Sequence, residues 1–254
     1  MLAVERRNRI VEMLQQQKRV VVSDLSRQFV VSEETIRRDL DLLDREGIAT
    51  KSYGGAVFNE TNNIELPFNL RKKTNVVGKQ KIAELVKELI DDGDHIFLDA
   101  STTAVFIAKA IKEKKSLTVI TNSLENMIEL ADVSGWNIIA SGGKIREGHL
   151  ALVGPGAVES IANFNSEKVF LSCKALDMQK GIMEGNEEIA QTKFVMMYHA
   201  MKKYLCVDHT KFDQIAFSRV CDAREITGIV TDVQPSEAWM AYFIRNNIEV
   251  YYPE

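Results

Sequence analysis

SEETIRRDLDLLDREG, Ser32 to Gly47, has the pattern of a short helix with one face made for a core and one for a partner. Ser32 suits the capping position, and Glu33 and Glu34 fill the first turn, where negative charge complements the helix dipole. Ile36, Leu40 and Leu43 recur at helical spacing, and Gly47 supplies a stop. The opposite side carries Thr35, Arg37, Arg38 and Asp41 near the helix start. A helix that reads the major groove presents side chains from its N-terminal half in this way, with arginine for guanine edges or phosphates.

The preceding residues supply the rest of a helix-turn-helix. Val4 to Gln15 reads as a helix with Val4, Val11 and Leu14 on one side and Ile10 alongside, and Val20 to Val22 as a short strand. Ser23 and Asp24 are placed to start a second helix, Leu25 to Phe29, and Val30-Val31 is a tight link to Ser32. After Gly47, Ile48 to Lys51 and Ala56 to Phe58 predict two strands around a Gly54-Gly55 turn, a wing whose Lys51 and Tyr53 reach backbone phosphates. Residues 1–57 therefore predict a winged helix-turn-helix, with Ser32, Thr35, Arg37, Arg38, Lys51 and Tyr53 as its DNA-binding set. Charge permits this reading without requiring it. Residues 1–57 hold ten Lys or Arg against nine Asp or Glu, a net +1, while the remainder carries −5. The positive charge is local, in Arg6, Arg7 and Arg9 and again in Arg37 and Arg38.

At 254 residues and 45% hydrophobic content the chain is long enough for this small domain and a larger one. It has no apolar run near the roughly 18 residues of a membrane span and no signal-peptide core at its start. Cys173, Cys206 and Cys221 form an odd set without a CxxC pair, which predicts buried thiols in a reducing cytoplasm.

VSDLSRQFVVSEETIRRDLDLLDREG and KSYGGAV resemble the N-terminal signature of the DeoR family of bacterial transcription regulators. The resemblance implies that Thr35, Arg37 and Arg38 lie on the DNA-reading helix. Residues 58–77 then read as a linker and connecting arm: Asn59 to Glu65 is polar and aperiodic, and Leu66 to Val77 carries no pattern that fixes its packing, docking in a dimer being one option.

From 78 to 254 the pattern alternates between helix and strand. Ile82, Val86 and Leu89 mark a helix closed by Gly93, and helices follow at Thr103–Ile111, Leu124–Ala131, Pro155–Ala162, Asn186–Met201 and Glu237–Ile244. Strands are predicted at His95–Leu98, Leu117–Thr121, Ile138–Ala140, Val169–Ser172, Tyr204–Val207, Gly228–Thr231 and Glu249–Tyr251. This alternation predicts an α/β domain with a mainly parallel sheet covered on both faces and a ligand beyond its carboxyl edge. Small polar groups gather at those strand ends: Asp99 with Ser101, Thr102 and Thr103, then Asn122 and Ser123, then Gly142, Gly143 and Lys144, then Lys174, then Asp208 and Lys211. Any one of these alone is an ordinary cap or turn. Together on one edge they predict a pocket for a phosphorylated, hydroxyl-rich ligand. His95, His149 and His199 show no metal-ligand spacing, whereas His209 sits within the last cluster; Met196, Met197 and Met201 read as core or interface filling on one helix. The pattern calls for no metal or cofactor.

FLDASTT, VITNS, SGGKIREGHLALVGPGA, FLSCKALD and DHTKF resemble the same family's C-terminal effector domain, so the resemblance covers nearly the whole chain. It implies a fold like that of ribose-5-phosphate isomerases, with Ser101, Thr102 and Thr103 on a phosphate and Asn122, Lys144, Lys174, Asp208 and Lys211 lining the rest. Ala100 and Ser101 replace the family's usual Ser-Gly, and Ser172-Cys173 its Gly-Ala, which with Glu184-Gly185-Asn186-Glu187 is similar to the branch of the fucose-operon regulator and implies a deoxy or pentose sugar phosphate. The expected function is a cytoplasmic, ligand-controlled repressor of a carbohydrate operon, a dimer or tetramer on paired operator half-sites. The alternative is a sugar-phosphate isomerase, with Asp177 and Lys174 or Asp208 and Lys211 as base and electrophile.

Overall fold

A computed structural model describes residues 2–45, 48–59 and 66–254, so the predicted stop at Gly47, most of the linker and the side chain of Val4 lie outside the described residues. The chain divides into two compact units, Met1–Thr74 and Asn75–Glu254.

The first unit begins with helix α1 (Ala3–Gln17), strand β1 (Arg19–Val21), helix α2 (Val22–Phe29) and helix α3 (Glu33–Arg45). Strands β2 (Ala49–Ser52) and β3 (Gly55–Phe58) form the wing, and β1 pairs with β3 to make an antiparallel sheet of order β1-β3-β2. The wing turn depends on its glycines. Gly54 holds φ +80, and a Cβ on Gly55 would lie 2.0 Å from the Val20 carbonyl oxygen. Ile36, Leu40 and Leu43 of α3 are buried with Ile10, Val11 and Leu14 of α1 and Leu25 of α2. Each such side chain contributes about 1.5–3 kcal/mol of burial. Helix α2 starts earlier than expected: Val21, not Ser23 or Asp24, stands at its N-cap, without a side-chain cap. Burial of Val22 alongside Leu25 and Phe29 draws the helix start back, and Asp24 instead pairs with Arg27 at 2.6 Å.

The connecting arm belongs to this unit. Helix α4 (Phe68–Lys73) has Phe68 buried, Leu66 and Leu70 pack against the core around α1 to α3, and Arg71 donates to the Leu66 carbonyl at 2.9 Å. The unit thus runs to Thr74, beyond residue 57.

The second unit opens with helix α5 (Val76–Glu88), strand β4 (His95–Leu98), helix α6 (Thr102–Ala110), strand β5 (Thr118–Thr121), helix α7 (Leu124–Leu130) and strand β6 (Asn137–Ala140). A hairpin of β7 (Lys144–Arg146) and β8 (Ala151–Val153) follows, then helix α8 (Pro155–Ala162) and strand β9 (Ser166–Leu171). Strands β10 (Ala175–Asp177) and β11 (Gly181–Glu184) precede helix α9 (Glu187–Tyr198) and strand β12 (Ala200–Cys206). Strands β13 (Ser218–Cys221) and β14 (Gly228–Val230), helix α10 (Glu237–Arg245) and strand β15 (Glu249–Tyr251) complete it.

Seven of these strands make one sheet, order β15-β14-β12-β9-β4-β5-β6, with every neighbouring pair parallel. Side chains alternate between its faces with the period of two that a strand imposes. Phe97 of β4 and Val169 and Leu171 of β9 join α9 and α10, whereas Ile96, Leu98 and Phe170 join α5 and α6. The chain runs outward from β4 through β5 to β6, then returns to β9 on the other side of β4 and continues to β15. The switch in strand order therefore lies between β4 and β9, where an open parallel sheet forms its crevice.

Sequence periodicity passed over β7 and β8 and the antiparallel sheet β10-β11-β13, whose strands have only three or four residues. It also extended α9 too far. The helix ends at Tyr198, and Met201 lies on β12, exposed, while Met196 and Met197 are buried in the core.

Asp39, on the buried side of α3, accepts from Arg6 Nε at 2.6 Å and from Arg7 at 3.4 Å, with Arg6 itself buried. Asp39→Ala leaves the Arg6 guanidinium buried without its carboxylate. It is expected to cost about 3–5 kcal/mol, read as earlier urea unfolding of the N-terminal unit; a loss below about 1 kcal/mol would show the pair to be superficial.

Candidate functional site

Two sites follow from these frames, one in each unit. On α3 the Ser32 hydroxyl accepts from the Thr35 amide at 3.2 Å, which makes Ser32 the helix cap, and it lies 2.9 Å from the Thr35 hydroxyl. Arg37 and Arg38 point away from the core and pair along the helix with Glu33 at 2.7 Å and Glu34 at 3.5 Å. Both pairs are exposed, so each is worth at most about 1 kcal/mol and exchanges readily for a phosphate or a guanine edge. Lys51 of the wing pairs with Asp41, whose carboxyl that lysine holds below the usual range, and Tyr53 stands fully exposed at the wing tip. The predicted DNA-binding residues therefore share α3 and its adjoining wing. Arg6 and Arg7, counted in the sequence as free positive charge, are instead tied to Asp39.

In the second unit the switch point is organised by Asp99, which is completely buried just past β4. One carboxylate oxygen accepts from the Ser101 amide at 3.0 Å; the other accepts from the Ser172 amide at 2.9 Å, just past β9. The same carboxylate meets Lys193 Nζ of α9 at 3.0 Å. Lys193, also buried, donates to the Ser172 carbonyl at 2.6 Å and pairs with Glu184 of β11. Burial works to lower the Lys193 ammonium, but Asp99 and Glu184 outweigh it and hold the group above the usual lysine range. Asp99 is thus a brace for the loops on either side of the crevice.

Around this brace, Ser101 caps α6 by accepting from Ala104 N at 3.0 Å, and Thr102 and Thr103 are buried in its first turn. Ser123 caps α7 by accepting from Asn126 N, and Asn122 donates to the Leu152 carbonyl at 3.0 Å. Asn126 reaches back to the Asp99 carbonyl at 2.9 Å, so the ends of β4 and β5 are joined. Gly142 and Gly143 hold positive φ values of 64 and 107 and lead into β7. There Lys144 and Arg146 each approach Glu188 at 3.5 Å. Lys174 is half-buried, its amide donating to Met183 O at 3.1 Å. Asp208 is buried and caps the short turn His209–Lys211 by accepting from Thr210. His209 pairs with Asp232 at 2.9 Å; burial works to raise the Asp232 carboxyl, yet hydrogen bonds from Asn75 and His209 hold it below the ordinary range. All three cysteines are free and buried, and burial pushes the Cys221 thiol up to about 12. A cleft lined by Glu5, Asn8, Arg9, Glu12 and Lys73 lies in the first unit, away from the strand-end cluster of the second.

Sequence reasoning named Asp99 and Ser101 but missed Lys193, the cation that Asp99 meets. Lys193 was legible as a lone lysine at helical spacing between Ile189 or Ala190 and Met196 or Met197, on the face that the core claims. Removing it in Lys193→Met leaves two buried carboxyls without a cation, at an expected cost of about 3–5 kcal/mol. Urea unfolding of the variant checks this; a loss below about 1 kcal/mol would show that the cluster does not brace the crevice.

Comparison with known proteins places both units in one family. Residues 6–62 match the DeoR-like helix-turn-helix domain and residues 74–233 the DeoR C terminal sensor domain. An HTH-type transcriptional regulator of Bacillus subtilis (strain 168), YulB, is 38% identical over 91% of this chain and 90% of its own. The putative aga operon transcriptional repressor of Escherichia coli O157:H7 is 30% identical over 90% of this chain and 86% of its own. The glycerol-3-phosphate regulon repressor of Escherichia coli (strain K12) is 28% identical over 98% of this chain and 99% of its own. Among solved structures, ribose 5-phosphate isomerase A of Methanocaldococcus jannaschii aligns over 53% of each chain at TM-score 0.39 and 15% identity. eIF2B delta of Chaetomium thermophilum aligns over 66% of this chain and 60% of its own at TM-score 0.47 and 18% identity. With both family domains matched in order along the chain, the protein belongs to the DeoR family of transcription regulators.

Proposed function

We propose that this transcription regulator represses a carbohydrate operon and that a phosphorylated sugar, bound at the switch point of its second unit, controls it. DNA is read by Thr35, Arg37 and Arg38, with Lys51 and Tyr53 on backbone phosphates and Ser32 fixing the helix start. The phosphate sits on the hydroxyls of Ser101, Thr102 and Thr103 and on the amides of Thr102 and Thr103 at the start of α6. Asn122, Ser123, Gly142, Gly143, Lys144, Lys174, Asp208 and Lys211 line the remainder, while Asp99 braces them. The observation that carries this reading is the Asp99 carboxylate spanning the Ser101 and Ser172 amides, which holds both lips of the crevice. The relatives' names, an aga operon repressor and a glycerol-3-phosphate regulon repressor, support the same class of operon and ligand.

The isomerase alternative has less support. The Asp177 carboxylate accepts from the amides of Gln179 and Lys180, and Asp208 caps the turn before Lys211. One oxygen of each candidate base is held by its own neighbouring backbone, and the relatives are named as transcription regulators and repressors, which weighs against catalysis. The protein acts in the cytoplasm as a homodimer or tetramer, so its operator contains paired half-sites. Among the described residues no helix is long and apolar enough to cross a membrane.

Arg37→Ala is expected to weaken operator binding by about 1–3 kcal/mol through loss of a bidentate base contact; unchanged binding to the promoter region of its own operon would count against the DNA-reading face. Thermal unfolding against a panel of sugars and their phosphates, deoxy and pentose sugars included, tests the other site. A ligand at about 100 times its Kd adds roughly 2.7 kcal/mol, a rise on the order of 5–10 °C. One phosphosugar should give that rise and its unphosphorylated parent should not. If no phosphorylated compound moves the transition, the strand-end pocket is wrong.

A further inference from the structure

Asp232 lies just past β14, is 4% exposed, and has no part in the DNA-reading or ligand-lining sets. Its carboxylate gathers donors from two separate stretches. One oxygen accepts from the His209 amide at 2.8 Å, and the other from His209 Nδ1 at 2.9 Å and Asn75 Nδ2 at 3.0 Å. A carboxylate only accepts, so the His209 proton sits on Nδ1.

The two stretches are the informative part. His209 belongs to the Asp208–Lys211 turn at the end of β12. Asn75 is 157 residues from Asp232 in sequence and is the first residue of the second unit, directly after Thr74. It caps α5 by accepting from the Gly78 amide at 3.3 Å and holds a left-handed φ of 46, which asparagine tolerates. The approach is close: a Cβ on Gly78 would lie 2.5 Å from the Asp232 carboxylate and 2.4 Å from Asn75 Nδ2. Glycine there leaves the room through which the carboxylate reaches Asn75.

We propose that Asp232 is a positioning residue that ties the Asp208–Lys211 turn, through His209, to Asn75 and the start of α5, so that a ligand ordering the turn acts where the chain passes to the DNA-binding unit. The inference rests on the reading of the strand ends as an effector site.

Hydrogen exchange on the full-length protein, followed by mass spectrometry at Gly78 and Lys79, tests it. The His209 side chain is half-exposed, so His209→Ala is compatible with folding. Exchange at Gly78 and Lys79 should rise on the order of tenfold in this variant, as when a hydrogen bond to a charged group is lost. Asp232→Asn should do the same. His209→Asn, whose amide can stand where Nδ1 stood, should restore slow exchange, which a loss of bulk alone would not allow. Unchanged exchange at Gly78 and Lys79 in His209→Ala, or equal exchange in His209→Asn and His209→Ala, overturns the proposal. Inorganic phosphate then separates the two readings. Protection of both the 208–211 turn and residues 78–79 supports the tie. Protection of the turn alone overturns the tie and leaves the effector site standing. Protection of neither counts against a phosphate-binding site, and the variants then decide the tie by themselves.

Discussion

The second unit depends on a buried charge cluster. Lys193 brings one positive charge from α9 to the carboxylates of Asp99 and Glu184 and to the Ser172 carbonyl, facing three acceptor oxygens with its three donors. Removing such ions from water costs several kcal/mol each, repaid only when the remaining lone pairs are also satisfied. At Asp99 they are, for it accepts two backbone amides besides the lysine. The cluster joins β4, the end of β9, β11 and α9 in one network. The small antiparallel sheet, which contributes nothing to the parallel core ladder, is thereby fastened to the crevice through Glu184.

The N-terminal unit uses charge in two opposite ways on a single helix. Asp39 is buried and locked to Arg6, so it fixes the register of α3 against α1. Arg37 and Arg38, two residues and one residue before it, are exposed and pair along the helix with Glu33 and Glu34. The difference in magnitude separates their roles. A buried pair costs about 3–5 kcal/mol to break, whereas an exposed i,i+4 pair contributes about 0.3–0.5 kcal/mol, less than a bidentate contact to a base yields. Helix α3 is held rigidly from behind and leaves its front free to exchange partners.

Most of this frame was legible in the sequence because it rests on local signals. Ile36, Leu40 and Leu43 announce a helix face, Ser32, Ser101 and Ser123 announce caps, and the apolar runs of β4, β5 and β9 announce a parallel sheet. What stayed hidden depends on distant partners. Nothing near Asp39 in sequence shows that Arg6 will neutralise it, and Asp99 looks the same whether it lines a ligand or braces a loop. The end of α9 was misjudged for a different reason. Met197 and Met201 keep helical spacing, yet the chain enters β12 at Ala200 because its pairing with Ser166 of β9 begins there. Strands such as β7 (Lys144–Arg146) and β13 (Ser218–Cys221) mix charged and apolar residues and lack the apolar run that marks β4 and β5.

Control of DNA binding requires that a ligand distinguish two states of the protein, since a ligand with equal affinity for both shifts nothing. The required difference is modest: coupling free energies between sites are typically 1–3 kcal/mol. A hydrogen bond to a charged group is worth about 1.5–3 kcal/mol, so one such bond, made in one state and not the other, meets the requirement. The Asp99–Lys193–Glu184 cluster is poorly suited to that role, because opening it would expose several buried charges at once. The bond from His209 to Asp232 is better matched. Its donor is half-exposed, it sits on a strand-end turn, and its acceptor also holds the first residue of the unit. The molecule therefore separates a rigid brace, which shapes the crevice, from a weaker tie whose strength is commensurate with regulation.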